Sequence, residues 1–301
     1  MKRVMVVVNK WWECDPVLFA MLSDNARPPG SPWPSALQSG RPRPDPSHLP
    51  TENPKPLPRA VFPYKTFQAE VWCISDLLEH LDSTLQSSSE QKAKYLPRMY
   101  SFGPSPDLVL AVGTAEFPDA MVSENGNVVV GSKVFMVDGH PDGSNPLSKW
   151  SDGPFGQVID SSLTRSVFAK LVQFDVPLAS NRFLAVPLAP ASSPWVVADY
   201  LNVALGAVNV TDYSEYSLVD PLTAKEFWSK PRDGKAASIE TTHGVIRVQS
   251  ESPFLFISGI VDRFGYFDQD VNPRSHGQNT AAAHNAGVVV SWLLSRFDLL
   301  T

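Results

Sequence analysis

Cysteine, long apolar runs and excess positive charge are all lacking in this chain of 301 residues. Cys14 and Cys73 are its only cysteines, which supports neither a disulfide framework nor a zinc cluster. No segment has the uninterrupted apolar length that a membrane-spanning helix needs. The net charge of -6 gives no reason to expect a nucleic acid or an anionic membrane surface as a partner. We therefore expect a globular, cytoplasmic protein.

The chain begins with MKRVMVVVNKWW, a basic start followed by a short apolar run. Asn9 and Lys10 interrupt that run, and no small-residue cleavage site follows it. A signal peptide needs a longer apolar region, so this segment predicts a first core strand instead.

Several short apolar runs are rich in β-branched residues, and their apolar positions are consecutive rather than alternating. Such runs indicate strands that are covered on both faces, as in α/β proteins. We predict an α/β fold in which helices flank a central mixed sheet. The predicted strands are Val4–Val8, Leu108–Val112, Val128–Phe135, Phe183–Val186 and Phe254–Val261.

Two segments show apolar residues at helical spacing. One includes Ser75–Leu85, and SSSEQKAK over Ser87–Lys94 is expected to be the end of the same helix. The other is Gln278–Phe297, whose Ala, Val and Leu residues fall on one wide face. No repeat or change of composition marks a second domain, so we expect residues 1–301 to form one.

Proline is concentrated in one part of the chain. The segment Arg27–Pro63 holds 12 of the 28 prolines. Because proline fixes φ and removes a backbone donor, this segment predicts a loop insertion without regular secondary structure that runs over the surface.

Carboxylates follow three of the predicted core segments. Glu13 and Asp15 follow the first strand, Glu240 lies in ASIET, and Asp262 follows the last strand. Ligands of open α/β sheets gather outside the carboxyl ends of strands, so these acids are candidate site residues. A lone acid after a strand is more often a helix N-cap or a solvated loop residue, and Asp15 before Pro16 fits an N-cap.

The order of four motifs resembles that of the purine nucleoside phosphorylase and methylthioadenosine nucleosidase superfamily. A strand leading into a Gly-Thr-Ala turn, Gly113, Thr114 and Ala115, is followed by a Val-rich segment, an acidic motif and a strand that ends in aspartate. The motifs read PDLVLAVGTAEF, ENGNVVVGSKVFMVDG, ASIETTHG and PFLFISGIVDRFG. They span the chain from about Pro106 to the C-terminus.

The resemblance implies cleavage of the N-glycosidic bond of a purine nucleoside. Asp262 takes the position of the aspartate that protonates or hydrogen-bonds the departing purine. Glu240 takes that of the glutamate that holds the ribose hydroxyls, with Ile239 where methionine is common. Glu13 is the candidate for positioning the attacking water. A leaving purine needs a proton and the cationic sugar needs nearby negative charge, so these residue types suit the reaction.

Base recognition is expected around NVTDYSEY, where Tyr213 or Tyr216 could stack on the purine ring. Both tyrosines could equally be packing residues. The resemblance implies no cofactor and no metal, a small-molecule nucleoside as ligand, and a homo-oligomer. His243, His276 and His284 fit no metal spacing, and we expect them at the surface or packed against helices.

Three positions depart from the family pattern: Glu116 replaces the second glycine of the turn, Ser258 an arginine, and Val261 the serine before the aspartate. Lys10 is the only cation in the loop after the first strand, and Asp15 would repel a phosphate dianion. Hydrolysis is therefore favoured. A phosphorylase that takes phosphate as co-substrate and a catalytically silent nucleoside- or nucleotide-binding module remain the alternatives.

Overall fold

The fold is taken from a computed structural model. It describes residues 1–22, 58–81, 89–117, 125–137, 154–155, 162–171, 173–176, 178, 196–197, 201–205, 236–263, 270 and 276–296.

Strands and helices are interleaved along the described chain. The strands are β1 Lys2–Val8, β2 Ala60–Pro63, β3 Phe67–Cys73, β4 Leu108–Phe117, β5 Val128–Gly131, β6 Lys133–Val137, β7 Pro154–Phe155, β8 Val196–Val197, β9 Leu201–Leu205, β10 Ala236–Glu240 and β11 Phe254–Arg263. The helices are α1 Trp11–Leu22, α2 Ile74–Leu81, α3 Ser89–Tyr95, α4 Pro97–Tyr100, α5 Ser162–Leu171, α6 His243–Arg247 and α7 His276–Ser295.

All these strands belong to one mixed sheet, as predicted. On one side β2, β3, β1 and β4 lie in that order, with β1 parallel to both of its neighbours. Beyond β4 the pairing continues through β11 and β5, and only Ser132 separates β5 from β6. From β6 it passes to β9 and β10 and returns to β4. The sheet therefore curls back on itself, with β4 at the closure.

The central strands are covered on both faces, which explains their consecutive apolar residues. In β1, Val4, Val6 and Val8 join the core beneath α1 and α7, whereas Met5 and Val7 join the core beneath α2, α4 and α6. The same alternation divides β4 and β11 between the two cores. The predicted α/β class is confirmed.

Helix α7 lies at the predicted place, but it is buried on all sides rather than on one face. From Ala281 to Leu294 only His284 is half-buried, and every other residue is buried. The backbone of α7 approaches β11 closely, because a Cβ placed on Gly259 would lie 2.0 Å from the carbonyl oxygen of Ala282. Glycine at position 259 is what permits this contact.

Three boundary predictions are corrected. Val128–Phe135 forms two strands, because the chain leaves β11 at Gly131 and joins β9 from Lys133. The Gly-Thr-Ala segment is part of β4 rather than a turn, since β11 continues to pair with β4 as far as Phe117. The proline-rich segment ends in β2, an edge strand that pairs with β3. Proline is tolerated at such an edge.

The remaining predictions are partly outside the described residues. Phe183–Val186 and positions 27–57 lie outside them. The first predicted helix corresponds to α2, and α3 begins at Ser89, with positions 82–88 not described. Within the described parts of the chain, no helix is long and apolar enough to cross a membrane.

Candidate active site

The site lies where β4 extends beyond the end of its neighbour β1. The pairing of β1 with β4 ends at Val8 and Val112, but β4 continues to Phe117. The N–H of Val109 points to the β11 side, where it donates to Pro253. Backbone N–H groups alternate between the two edges of a strand, so the N–H of Thr114 points to the edge that β1 has left. It needs another acceptor.

Glu13 supplies that acceptor. Its Oε1 accepts hydrogen bonds from the backbone N and from Oγ1 of Thr114, both at 2.8 Å. Its Oε2 accepts from the backbone N of Lys10 at 3.1 Å. Helix α1 begins directly after β1, so Glu13 lies in its first turn, where the helix dipole favours a negative charge. The predicted site residues Glu13 and Thr114 are thus in direct contact.

Gly113 lies between Glu13 and a third group. A Cβ at position 113 would lie 3.1 Å from Oε1 of Glu13 and 3.7 Å from Nε2 of His243. The carboxylate of Glu13 and the imidazole of His243 therefore both lie next to this glycine, which has no side chain. An added methyl group at position 113 would be tight against Oε1 of Glu13 and in ordinary contact with His243.

Glu240 lies at the end of β10 and caps α6. Its Oε1 accepts from the backbone N of His243 at 2.7 Å, and its Oε2 accepts from the backbone N of Thr242. These are N–H groups at the start of a helix, which have no partner within the helix. A carboxylate has about four acceptor positions, so Glu240 can accept further hydrogen bonds.

His243 is buried at the centre of this group, which corrects the expectation of a surface or helix-packing histidine. Its Nδ1 lies 3.4 Å from Oγ of Ser258 and 3.7 Å from Oε1 of Glu240. Burial lowers the pKa of His243 to about 3, so the imidazole is neutral at physiological pH. Nδ1 and Nε2 are then one donor and one acceptor.

Lys92 of α3 adds a buried cation that the sequence did not reveal. Its side chain is fully buried, and its Nζ donates to Oγ1 of Thr242 at 2.8 Å. Burial lowers the pKa of Lys92 to about 7, an effect that Glu240 and Glu13 oppose. Burial also raises the pKa of Glu240 to about 8, against the effects of its two backbone donors and of Lys92.

Asp262 lies nearer the C-terminal end of β4 than the contact between Glu13 and Thr114 does. A β-bulge between Ile260 and Asp262 brings Asp262 into register with Glu116, which also lies opposite Ile239 of β10. Glu116 and Asp262 are both buried. Register alone therefore places Asp262, Glu116 and the end of β10 at the same end of the sheet. The bulge is of the kind that redirects a side chain near a site.

Asp15 does not contribute to this group. It lies inside α1, which begins at Trp11, so it is not the N-cap of that helix. Its carboxylate is paired with Arg59, which also binds Asp76 of α2. One guanidinium between two carboxylates does not cancel the charge of both, so the expected repulsion of phosphate by Asp15 stays a prediction.

Other predicted residues remain untested. Tyr213 and Tyr216 lie outside the described residues, and Ile239 and Ala115 lie in β10 and β4. His243 carried one sequence signal, since it follows Glu240 by three residues at the start of a helix. Lys92 carried none, because its helix reads SEQKAKY, which is typical of a solvated surface.

Comparison with known proteins identifies the fold. No protein-family model matches the sequence, and neither does any curated protein. Among solved structures, a protein assigned as a 5'-methylthioadenosine/S-adenosylhomocysteine nucleosidase from Borrelia burgdorferi B31, bound to adenine, has a TM-score of 0.54 at 10% identity and covers 97% of this chain and 98% of its own. A protein with the same assignment from Francisella philomiragia has a TM-score of 0.51 at 14% identity, covering 98% and 100%.

An S-adenosylhomocysteine nucleosidase from Streptococcus pyogenes, in complex with 5-methylthiotubericidin, has a TM-score of 0.52 at 10% identity and covers 98% of this chain and 97% of its own. Each likeness extends over almost the whole of both chains. The chain therefore shares the fold of these nucleosidases, which confirms the α/β fold that the four motifs imply.

Proposed function

We propose that this protein is an enzyme that hydrolyses the N-glycosidic bond of a purine nucleoside. One observation carries the proposal. Glu13 is a buried carboxylate that accepts hydrogen bonds from Thr114 and Lys10, beside the stretch of β4 between its pairings with β1 and β10. The fold around it is shared with nucleosidases. A carboxylate fixed in this way can orient and deprotonate a water molecule.

The sugar would lie between Glu13 and Glu240. Oε2 of Glu13 and both oxygens of Glu240 have acceptor positions beyond their present hydrogen bonds, and ribose hydroxyls are donors. As the glycosidic bond breaks, positive charge develops on the sugar. Two carboxylates fixed in a water-poor site stabilise that charge without having to reorganise.

Asp262 is the proposed general acid. It is buried at the same end of the sheet as Glu240, which suits a group that must give a proton to a leaving purine. The adenine bound by the Borrelia burgdorferi protein, and the 5'-methylthioadenosine in its assignment, support an adenine nucleoside as the first substrate to examine.

The described charges favour water over phosphate as the acceptor of the sugar. Phosphate binding calls for free guanidinium groups, and the three buried arginines of the described chain are already engaged, Arg247 by donating to the carbonyl oxygen of Ser250. Arg3 is bound to Glu70, and Arg59 is bound to Asp15 and Asp76. At the site itself the positive groups are lysines that face carboxylates.

The test is release of free base from adenosine, inosine, guanosine, 5'-methylthioadenosine and S-adenosylhomocysteine, with and without phosphate. We expect base and free sugar without phosphate from at least one of them. Glu13→Gln and Asp262→Asn should each lower kcat by about 10²–10⁴-fold, because each amide has lost the proton-transfer function. Far-UV circular dichroism would check that both variants keep the fold.

The matched control is Asp15→Asn, which makes the same change on the same helix at a residue bound to Arg59. It should keep the kcat of the wild type. Base release only with phosphate, giving a sugar 1-phosphate, would replace hydrolysis by phosphorolysis. No cleavage under either condition would leave a silent nucleoside-binding module.

A further inference from the structure

Two lysines on α3 differ completely in their surroundings. Lys94 is exposed and lies over the ring of Tyr95 at 5.2 Å, an ordinary surface position. Lys92, two residues earlier, is fully buried. Lysine is among the residues that are almost never fully buried unless they are paired. The burial of Lys92 therefore needs an explanation that its helix does not provide.

The ammonium of Lys92 is connected to Glu240 through one residue. Its Nζ donates to Oγ1 of Thr242 at 2.8 Å, and the backbone N of Thr242 donates to Glu240. Oγ1 of Thr241 lies 3.4 Å from Oγ1 of Thr242. Lys92 thus holds the turn between β10 and α6 that places both Glu240 and His243.

The charges around Lys92 come from two other elements. Lys10 and Glu13 face it from the start of α1, and Glu240 faces it from the end of β10. The group therefore combines two lysines with two glutamates. Burying an isolated charge is very costly, so each sign stabilises the other here.

We propose that Lys92 is a positioning residue for the nucleoside site, which fixes the Glu240–His243 turn through Thr242 and whose charge favours the ionised form of the Glu240 carboxyl group. This inference rests on the proposed function, because it assigns Glu240 to the sugar. Lys92 acts through Thr242 and Glu240 and need not touch the substrate.

The direction of the effect follows from the charge. A nearby cation favours the ionised form of a carboxyl group, so removing it makes Glu240 easier to protonate. The acidic limb of the kcat/KM profile should then move to higher pH. A lysine that only filled space would leave this limb in place.

The first experiment compares Lys92→Met, Lys92→Arg and Lys94→Met, with kcat and KM measured from pH 5.5 to 9.5. Lys92→Met keeps an unbranched chain without the charge. We expect its acidic limb to rise by at least about half a pH unit and its kcat/KM at pH 7 to fall at least about tenfold. Lys92→Arg should restore the limb, and Lys94→Met should match the wild type. An unchanged limb in Lys92→Met would overturn the proposal.

Thr242→Val provides a second route if Lys92→Met does not fold. It keeps the shape of the side chain and removes the hydroxyl that accepts from Lys92. We expect a higher KM for the nucleoside and a lower melting temperature, because the buried Lys92 side chain loses an acceptor. Wild-type KM and pH profile in Thr242→Val would contradict the positioning role.

A third measurement does not depend on turnover. Urea midpoints of the wild type, Lys92→Met, Glu240→Gln and the double variant form a thermodynamic cycle. If the two charges stabilise each other, the double variant loses less than the sum of the single losses. Additive losses of stability would show that Lys92 and Glu240 are not coupled, even if the enzyme is active. Coupling in a protein that cleaves no nucleoside would instead reject the proposed function and retain the charge pair.

Discussion

At the scale of single residues, the site contains a histidine that the protein interior keeps neutral. The folded pKa of His243 is about 3, below its ordinary value of 6.5, because the ring is buried. Between these values the unfolded chain binds a proton that the folded chain does not. The contribution of His243 to stability is therefore complete above pH 6.5 and is lost as the pH falls toward 3.

We accordingly expect His243→Gln to weaken the loss of stability in acid. Glutamine cannot be protonated in this range, so the slope of unfolding free energy against pH should decrease by up to about 1.4 kcal/mol per pH unit below pH 6. Urea unfolding at pH 5, 6 and 7 measures it. Equal slopes in wild type and His243→Gln would mean that the ring is protonated in the folded protein.

The residues that the sequence could predict are those next to a strand end. Glu13 lies in the helix that follows β1, and Glu240 is the last residue of β10, so an acid near the end of a strand was a visible signal. His243 and Lys92 required tertiary information. Lys92 and Thr242 are 150 positions apart, and only the packing of α3 beside α6 turns a lysine of a polar helix into a buried cation.

At the scale of elements, the contact between α7 and β11 depends on one glycine. A Cβ at position 259 would come within 2.0 Å of the Ala282 carbonyl, and both partners are backbone or buried. Gly259→Ala should therefore lower the unfolding free energy by about 3 kcal/mol or more, since neither element can move without disturbing the core. Gly103→Ala is the control.

At position 103 the added methyl group would meet only the Arg3 side chain, at 3.4 Å, so we expect a change within about 0.5 kcal/mol. Chemical denaturation of the two variants beside the wild type measures the difference. Similar stabilities for Gly259→Ala and Gly103→Ala would show that α7 can shift on the sheet.

Elements with long apolar runs were predictable, and those defined by pairing were not. β1, β11 and α7 lie where their runs of apolar residues indicated. The extension of β4 through Gly113, Thr114 and Ala115 was missed, because small and polar residues read as a turn unless the ladder with β11 is known. β2 was missed in a proline-rich segment, because only its edge position makes proline acceptable.

At the scale of the whole molecule, the two cores share the same strands. β1, β4 and β11 each contribute alternate residues to both, so neither core can open without breaking strands that the other needs. We expect a single cooperative unfolding transition, with coincident curves from tryptophan fluorescence and far-UV circular dichroism. Two separated transitions would show that the described chain contains two independent units rather than one domain.

The early end of β1 gives the protein a natural spectroscopic reporter. The backbone N–H of Thr114 donates to a side-chain carboxylate, that of Glu13, instead of to a neighbouring strand. Its chemical shift and exchange with solvent therefore follow the state of Glu13 alone, whereas the amides on either side follow the sheet. A two-dimensional NMR spectrum of the free protein would thus register a ligand arriving at Glu13, or a proton binding to it, before any turnover assay exists.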